Sequence, residues 1–492
     1  MTSAESSPVG RVAVVGGGIA GLAAAHRLGE IAPSLQVNLF EAGDRLGGAL
    51  HTEHHAGYLL ELGADNFITN VPWGIELCRR LGIDEQLLPT RPSQRRAMVV
   101  RRRKLVPVPA GFHLLQPTRL APIVRTPLLS WAGKLRMLAE ALIPRARGTA
   151  DESLASFARR RLGREAFERL VQPLAAGIYT ADAEKLSMQA ALPRFLDMER
   201  QYGGLIRAGR QGNSDAQDSS GARYGMFVAP RGGMASIVDA LAARLPPATV
   251  RLNSPVREIK PAEGGSWQVT SGGQSARFEA VIMAAPAPAA ARLMAGFDAE
   301  LAASLHEIAY AGSAIVLLGY RREQIAHPLD SFGFVVPAIE RRGILAGSFS
   351  SVKFEGRAPE GRVLIRVFLG GAERPDQLEL DDDALRRIAI GELAELLGAA
   401  GEPEMTRVAR WPRSMPQYYV GHVQLVERIE GLAARYATLA LAGNAYHGVG
   451  VPNCIHSGEQ AAERIAQAVA PGASGTRSTS DAPLQNSLSR KS

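Results

Sequence analysis

The chain of 492 residues is poor in cysteine and has no long apolar run. Its two cysteines, Cys78 and Cys454, exclude a disulfide scaffold and are typical of a reducing compartment. No run of 18 apolar residues occurs, so we expect no membrane-spanning helix. The small polar residues 1–8 lack the apolar core of a signal peptide. These absences predict a cytoplasmic protein, and no metal site is predicted.

Length and charge bound the organisation. A chain this long exceeds one hydrophobic core and predicts two or three domains. Residues 101–149 carry ten lysines and arginines and one glutamate, a net charge of +9, while the rest holds 46 basic and 47 acidic residues. The same segment is apolar and broken by prolines. Two interpretations remain open: peripheral contact with an anionic membrane surface, or a basic rim around an anionic-substrate pocket. No motif for nucleic acid accompanies the charge, so no nucleic-acid partner is predicted.

A glycine-rich junction near the start carries the strongest functional signal. An apolar strand at 12–15 leads into Gly16-x-Gly18-x-x-Gly21, and a second strand ends on Glu41, 20 residues later. Gly16 allows a tight turn, Gly18 allows the backbone to approach a pyrophosphate, and Gly21 allows close helix–strand packing. The helix N-terminus presents free N–H groups to phosphates, and Glu41 can accept hydrogen bonds from a ribose. The pattern predicts a dinucleotide-binding unit.

The residues after Glu41 indicate which dinucleotide. Arg45 and Gly48, within Arg45-Leu46-Gly47-Gly48, suit a second wrap around the cofactor. This stretch is similar to the FAD signature of the amine oxidase and porphyrinogen oxidase superfamily. The resemblance implies FAD, since a nicotinamide enzyme would not need the second wrap.

A second strand–glycine junction near the other end implies a discontinuous cofactor domain. The apolar stretch 438–442 stops at Gly443, and a helix follows Gly450. We predict an α/β fold: a Rossmann-like FAD-binding domain (9–90, 222–296 and 426–470), a basic helical domain (91–221) and a β-rich substrate domain (297–425). Helices are expected at 153–162, 165–170 and 187–200, a mobile polar loop at 211–221, and a disordered tail at 471–492.

Further motifs give the chain its resemblance to the porphyrinogen oxidases of heme biosynthesis, over about residues 10–470. They are residues 61–67 (ELGADNF), 173–179 (PLAAGIY), 331–337 (SFGFVVP), Trp411 with 416–418 (PQY), and 443–450 (GNAYHGVG). The first and last are shared widely among flavin enzymes, and the middle ones discriminate better. One departure follows Gly48, where some relatives carry an arginine and this chain has Ala49-Leu50-His51-Thr52.

The resemblance implies oxidation of coproporphyrinogen III or protoporphyrinogen IX to the porphyrin, with oxygen as acceptor. Six electrons leave the substrate, so the flavin cycles three times; it carries the chemistry, and no catalytic side chain is nominated. The implied substrate contacts are Arg96 (or its neighbour Arg95), Phe332, Gly333 and Val335. The implied cofactor contacts, with FAD bound non-covalently despite the nearby Cys454, are Gly16, Gly18, Ile19, Ala20, Gly21, Glu41, Arg45, Gly48, Val256, Asn444, Val449, Gly450 and Val451. Asp65 and Asn66 are expected either to lie near the flavin or substrate or to cap a turn.

Other readings of the same scaffold stay open. A flavin amine oxidase or a carotenoid desaturase would share every cofactor motif, although amine oxidation favours an aromatic cage and only Tyr446 is a candidate. A non-catalytic escort protein would tolerate loss of the glycines and Glu41, all of which are intact. Between the two porphyrinogens, the basic excess leans towards the one with four carboxylates. A homodimer is an open expectation, as is attachment to the inner face of the membrane.

Overall fold

The computed structural model describes residues 10–146, 148, 150–211 and 226–470. The predicted loop at 211–221, apart from Gln211, and the predicted disordered tail at 471–492 lie outside these residues. The described chain builds a five-stranded parallel sheet, a seven-stranded mixed sheet, four smaller sheets and a layer of helices. The smaller sheets include the hairpin Thr52–His55 with Tyr58–Glu61 and the trio Phe67–Ile68, Phe227–Pro230 and Leu87–Pro89.

The parallel sheet draws its strands from both ends and the middle of the chain. In spatial order they are Val250–Arg251, Leu35–Phe40, Gly10–Val15, Ala280–Met283 and Leu439–Leu441, and every neighbouring pair is parallel. Side chains of a strand alternate between faces, so Val12 and Val14 enter one core and Ala13 and Val15 the other. The long apolar strands therefore reflect burial on both faces.

Helices cover both faces of this sheet. One face packs against Ile19–Ile31, Trp73–Arg80, Ala235–Ala242 and Val451–Ala468. A Cβ on Gly458 would overlap the carbonyl oxygen of Ala20, so the first and last helices pack backbone to backbone. The other face packs against the strands Val256–Ala262, Ser266–Ser271 and Gln274–Phe278 and the helices Ala287–Met294, Ala299–His306 and His422–Ala433.

The seven-stranded sheet differs from the expectation in its last two strands. Its order is Met405–Pro416, Tyr310–Arg321, Arg362–Gly370, Ala346–Phe349, Gly333–Val335, Met98–Arg101 and Lys104–Pro107. The stretch at 91–221 was expected to be mostly helical, which is wrong for residues 98–107. Two short apolar runs there, 98–100 and 105–106, flank a basic turn and form a hairpin, and Val99 pairs in parallel with Val335. Helices Asp382–Leu397 and Ser350–Lys353 also belong to this part of the chain.

The helical layer occupies much of the rest of 91–211. Its helices are Ala121–Arg125, Trp131–Leu138, Leu154–Leu162, Arg164–Ala166, the π-helical turn Phe167–Val171, Gln172–Tyr179, Met188–Ala191, Pro193–Tyr202 and Leu205–Gln211, with a hairpin of Phe112–His113 and Gln116–Pro117. Ser153 and Ser187 cap two of them by accepting amide hydrogen bonds. The single helix expected at 187–200 is wrong: it breaks at Leu192, because the following proline disfavours helical geometry there.

Among the described helices, none combines the length and the apolar character that crossing a bilayer requires.

Candidate functional site

The first glycine turn leaves an open place at the start of a helix. Gly16 has a φ of 112°, and a Cβ there would lie 2.8 Å from the carbonyl oxygen of Ala284. A Cβ on Gly21 would overlap the carbonyl oxygen of Gly16. At Gly18 a Cβ would meet no atom within 4 Å. The helix Ile19–Ile31 starts there with no side-chain cap and no acidic residue in its first turn, so its amides can receive a phosphate.

The second glycine turn folds against the first. The amide of Gly47 donates to the carbonyl oxygen of Gly17 at 2.8 Å. Arg45 braces this turn, since its Nη2 donates to the carbonyl oxygen of Gly48 at 2.7 Å. The structure thus brings the predicted residues Gly18, Arg45 and Gly48 close together. Much of the hydrogen-bonding capacity of Arg45 is used within the turn.

Glu41 holds the two turns in place from the end of its strand. Its Oε2 accepts from the amide of Gly17 and its Oε1 from the amide of Gly43, both at 2.7 Å. The backbone amide of Ser254 donates to the carbonyl oxygen of Glu41 at 2.8 Å, which places the strand that begins at Val256 beside it. Because each carboxylate oxygen has a second acceptor site, the predicted ribose contact is compatible with these bonds.

The third glycine turn, between Gly443 and Gly450, is held by a tyrosine whose role the sequence did not reveal. The hydroxyl of Tyr418 donates to the carbonyl oxygen of Asn444 at 2.7 Å and accepts from the amide of Gly448 at 2.8 Å. The ring of His422 stacks on Tyr418 with centroids 4.0 Å apart. Burial lowers the pKa of His422 to about 4, so the imidazole is neutral. Gly450 then starts the last helix at Val451, again without an acidic residue in its first turn.

The predicted substrate residues lie on neighbouring segments but differ in exposure. The amide of Phe332 donates to the carbonyl oxygen of Arg96 at 3.0 Å, and Gly333 pairs with Ser348 at a φ of 142°. Phe332 is buried and Val335 half-buried. Val335 of the predicted substrate strand and Val449 of the third glycine turn both pack against the border of the same helical core.

Arg96 is a partly exposed cation with a partner. Its Nε donates to the carbonyl oxygen of Asp330 at 2.7 Å, and its guanidinium pairs with the Asp330 carboxylate. The Arg96 side chain is 44% exposed and the Asp330 side chain is 39% exposed. The predicted propionate anchor is therefore an ion pair that a substrate carboxylate would have to share or exchange. The neighbouring Arg95 bonds instead to the backbone and hydroxyl of Thr90.

Asp65, for which the sequence predicts either a place near the flavin or substrate or a role as a turn cap, lies in a buried ion cluster. Its Oδ2 lies 3.2 Å from Nζ of Lys353 and 3.1 Å from Nη1 of Arg366. Asn66 donates to the other carboxylate oxygen. Burial alone would raise the pKa of Asp65, but the two cations outweigh it and hold the pKa well below its ordinary value. The two cations carried no recognisable sequence signal.

The fold and these glycine turns define a class. The family described as flavin containing amine oxidoreductase matches residues 19–466, and this chain belongs to that family. The family description implies a flavin cofactor, and the open, acid-free helix start at Gly18 fits its phosphate end.

Individual relatives make the comparison more specific. The chain is 32% identical to coproporphyrinogen III oxidase of Bacillus subtilis, covering 92% of this chain and 96% of that protein. It is 34% identical to the coproporphyrinogen III oxidase of Propionibacterium freudenreichii, covering 92% and 90%. A crystal structure from Exiguobacterium sp. 255-15, described as a protoporphyrinogen oxidase, superposes with a TM-score of 0.83 at 28% identity, covering 94% of this chain and 99% of that one.

Proposed function

We propose that this chain is an FAD-dependent oxidase that converts a porphyrinogen to the porphyrin in heme biosynthesis, with oxygen as the electron acceptor. Coproporphyrinogen III is the proposed substrate, because relatives named coproporphyrinogen III oxidase match 92% of this chain. One structural observation carries the proposal: Val449 of the third glycine turn and Val335 of the predicted substrate strand both pack at the border of the same helical core. A flat apolar substrate held at that border would lie beside the cofactor.

The glycine turns and Glu41 support FAD as the cofactor, and the burial of Cys454 supports binding without a covalent bond. Two glycine turns and the acceptor Glu41 converge on the open helix start at Gly18, which suits a dinucleotide rather than a mononucleotide. Cys454 lies in the first turn of the last helix, near the proposed flavin contacts. Burial raises the pKa of its thiol to about 12, so the thiolate that would attack a flavin is not available.

The residues of the chain position the substrate, and the cofactor performs the electron transfer. A bound flavin would supply the redox chemistry, three two-electron oxidations of the substrate with oxygen as the final acceptor. Val335 offers an apolar contact, and the carbonyl oxygen of Gly333 can accept from a pyrrole N–H. Arg96 can pair a propionate with its planar guanidinium.

The proposed domains follow the sheets. The parallel sheet takes strands from residues 10–40, 250–283 and 439–441, which supports the discontinuous FAD-binding domain at 9–90, 222–296 and 426–470. The proposed substrate domain at 297–425 gains the strands at 98–107, and the other described residues of 91–211 make up the proposed helical domain. The packing of Val335 at the border of the helical core supports a substrate site between these units.

The test of substrate is a side-by-side assay. Oxygen uptake and porphyrin fluorescence are measured with coproporphyrinogen III, with protoporphyrinogen IX and with primary amines. We expect porphyrin formation, fastest with coproporphyrinogen III. Turnover of amines alone would overturn the proposal in favour of an amine oxidase. Tyr446 argues against that alternative, since it packs in the core between the sheet and helix His422–Ala433 and does not form an open aromatic cage.

The test of the cofactor site uses two glycines of one helix region. Gly18→Ala places a methyl group in the open space proposed for the pyrophosphate, so we expect a loss of FAD affinity of at least about tenfold, with the apo-protein as stable as before. Gly29→Ala is the matched control, because a Cβ at this exposed helical position also meets no atom within 4 Å. Titration of each apo-protein with FAD measures the FAD affinities of the two variants. Equal affinity in the two variants would contradict the proposed site.

Peripheral membrane contact through residues 101–149 is a further part of the proposal. Trp131 and Leu135 lie one helical turn apart and are 69% and 67% exposed, and Leu142 is 83% exposed. Arg125 and Arg145 are exposed in the same segment. Exposed apolar groups beside cations suit an anionic bilayer surface. The protein would then be cytoplasmic and peripheral on the inner face of the membrane; the homodimer stays a prediction.

Sedimentation with lipid vesicles tests this contact. We expect binding to vesicles containing anionic phosphatidylglycerol and not to neutral vesicles, and loss of binding in the double variant Trp131→Ser/Leu135→Ser. Leu380→Ser, at an exposed leucine elsewhere, is the control. If the double variant binds as well as the control, these side chains do not form the contact.

A further inference from the structure

Asp65, Lys353 and Arg366, here called the junction cluster, connect the two proposed binding segments. Asp65 directly follows Ala64, whose amide donates to the carbonyl oxygen of Ala49 at 3.1 Å, just beyond the second glycine turn. Lys353 ends the short helix that follows strand Ala346–Phe349, the partner of Gly333–Val335. The cluster therefore joins the segment that wraps the proposed cofactor to the sheet that carries the proposed substrate contacts.

Arg366 ties the same junction a second time. It lies on strand Arg362–Gly370, which pairs with Ala346–Phe349, and it is 2% exposed. Its Nη1 lies 3.1 Å from Asp65 Oδ2, and its Nη2 donates to the carbonyl oxygen of Gly63. Two cations, Arg366 on the sheet and Lys353 on the short helix between two of its strands, thus contact one short segment, residues 63–65, of the other unit.

The burial of these charges bears on their role. Lys353 is 11% exposed and Asp65 16% exposed as side chains. Removing charges from water costs several kcal/mol per ion, and apolar residues of similar volume often stabilise a protein as well or better. Stability alone is therefore a weak reason for three ions at this junction. A fixed geometry between the two units is a stronger one, because paired charges with several bonds allow only one docking arrangement.

We propose that Asp65 is a positioning residue which, through Lys353 and Arg366, sets the distance between the cofactor and the substrate strand. This inference rests on the proposed porphyrinogen oxidase function and goes beyond it. Hydride transfer requires the reacting atoms about 3–3.5 Å apart, and a displacement of about 1 Å costs about 100-fold in rate. If the junction cluster fixes this distance, its loss lowers the rate of flavin reduction and leaves the pyrophosphate site at Gly18 unchanged.

The experiment compares one single and two double variants in the full-length protein. Asp65→Asn removes the carboxylate charge and leaves two buried cations. Asp65→Asn/Lys353→Met removes one charge of each sign, so it preserves the net charge of the cluster and guards against a failure to fold. Glu53→Gln/Arg407→Met is the matched control, because that pair also links the hairpin at 52–61 to the seven-stranded sheet, but is exposed.

Three quantities are measured for each variant. They are the rate of anaerobic flavin reduction by coproporphyrinogen III, the FAD dissociation constant of the apo-protein, and the melting temperature. We expect both Asp65 variants to reduce flavin more slowly, by about 10- to 100-fold, with FAD affinity within about threefold of wild type. The charge-balanced double variant should regain most of the melting temperature lost in Asp65→Asn. The control should keep its reduction rate within about twofold.

Several results would overturn the inference. A charge-balanced variant that reduces flavin at the wild-type rate would make the cluster merely structural. A parallel loss of FAD affinity and reduction rate would make it part of the cofactor site. If the wild-type protein oxidises neither porphyrinogen, the proposed function fails and this inference fails with it, which differs from a normal wild type with unaffected variants.

Discussion

Two groups of buried ions lie in different settings. In the helical layer, Glu140, Arg161 and Glu199 form what we call the helical cluster, with Arg161 and Glu140 fully buried. Nε of Arg161 donates to Glu140 Oε1 at 2.8 Å, and the same carboxylate accepts from the amides of Leu205 and Ile206. All of these partners belong to one layer. The junction cluster uses the same chemistry to connect two different parts of the fold.

The difference separates stability from geometry. The helical cluster pins one helix terminus to its neighbours, so its loss loosens a layer that carries none of the glycine turns. The junction cluster lies between the proposed cofactor and substrate segments, so its loss changes their relative position. Similar ion pairs should therefore give different phenotypes, and the following predictions examine that contrast from the largest effect on stability to the smallest.

Arg161→Met should have the largest effect on stability. It leaves the buried carboxylate of Glu140 without its cation, while Glu199 keeps Arg160; breaking a buried pair in this way typically costs about 3–5 kcal/mol. Thermal and denaturant unfolding measure this loss. FAD affinity and turnover per bound flavin should stay at wild-type values.

Arg159→Met is the matched control on the same helix, because its partner Glu184 is exposed. The contrast between the clusters would fail if Arg161→Met slowed flavin reduction as much as Asp65→Asn does.

Glu61→Gln should change how stability depends on pH. Burial raises the pKa of Glu61 to about 7, even though the amide of Met234 and the hydroxyl of Thr52 donate to it. The folded state therefore holds this proton more tightly than the unfolded state, in which the pKa keeps its ordinary value of 4.5. The stabilisation is complete below pH of about 4 and is lost as the pH rises through 7, a total of about 3 kcal/mol.

Unfolding measured from pH 4.5 to 8 checks this prediction. Glu61→Gln cannot ionise, so its stability should decline less across that range than that of the wild type. Parallel curves for the two proteins would show that Glu61 does not titrate there.

Glu53→Gln should have the smallest effect. Glu53 and Arg407 form a bidentate pair at 2.9 and 3.0 Å between the hairpin and the seven-stranded sheet, with Arg407 52% exposed. Exposed pairs contribute about 0–1 kcal/mol, and high salt screens them. We expect a stability change below about 1 kcal/mol that disappears in 1 M salt, with unchanged flavin reduction. A larger effect would mean that any link between these units, buried or not, serves as the joint.

The parts predicted well from sequence are those in which a few adjacent residues impose a backbone shape. The turn at Gly16, Gly18 and Gly21 appears between its strand and helix as the spacing implied, because these residues are close in sequence. The contact of Glu41 with a ribose stays a prediction. Residues 98–107 were misassigned, since a short strand at a sheet edge needs its partner strand to be recognised. The break before Pro193 was overlooked despite a local signal.

Long-range contacts escaped prediction. The bond between Lys353 and Asp65 joins residues 288 positions apart, and nothing in the neighbourhood of either residue indicates the other. The same holds for Tyr418, whose hydroxyl closes the third glycine turn, and for Asp330, which pairs with Arg96. Phe332, an implied substrate contact, is buried directly before strand Gly333–Val335, which lies between two other strands.

Steric limits on φ and the alternation of side chains act over short stretches, so the amino-acid order alone determined the glycine turns, the parallel strands and the family to which the chain belongs. Electrostatic pairing acts through space and ignores chain separation. For that reason only the tertiary structure decided which charges are buried together, which tyrosine closes the last turn, and how the cofactor segment is joined to the substrate sheet.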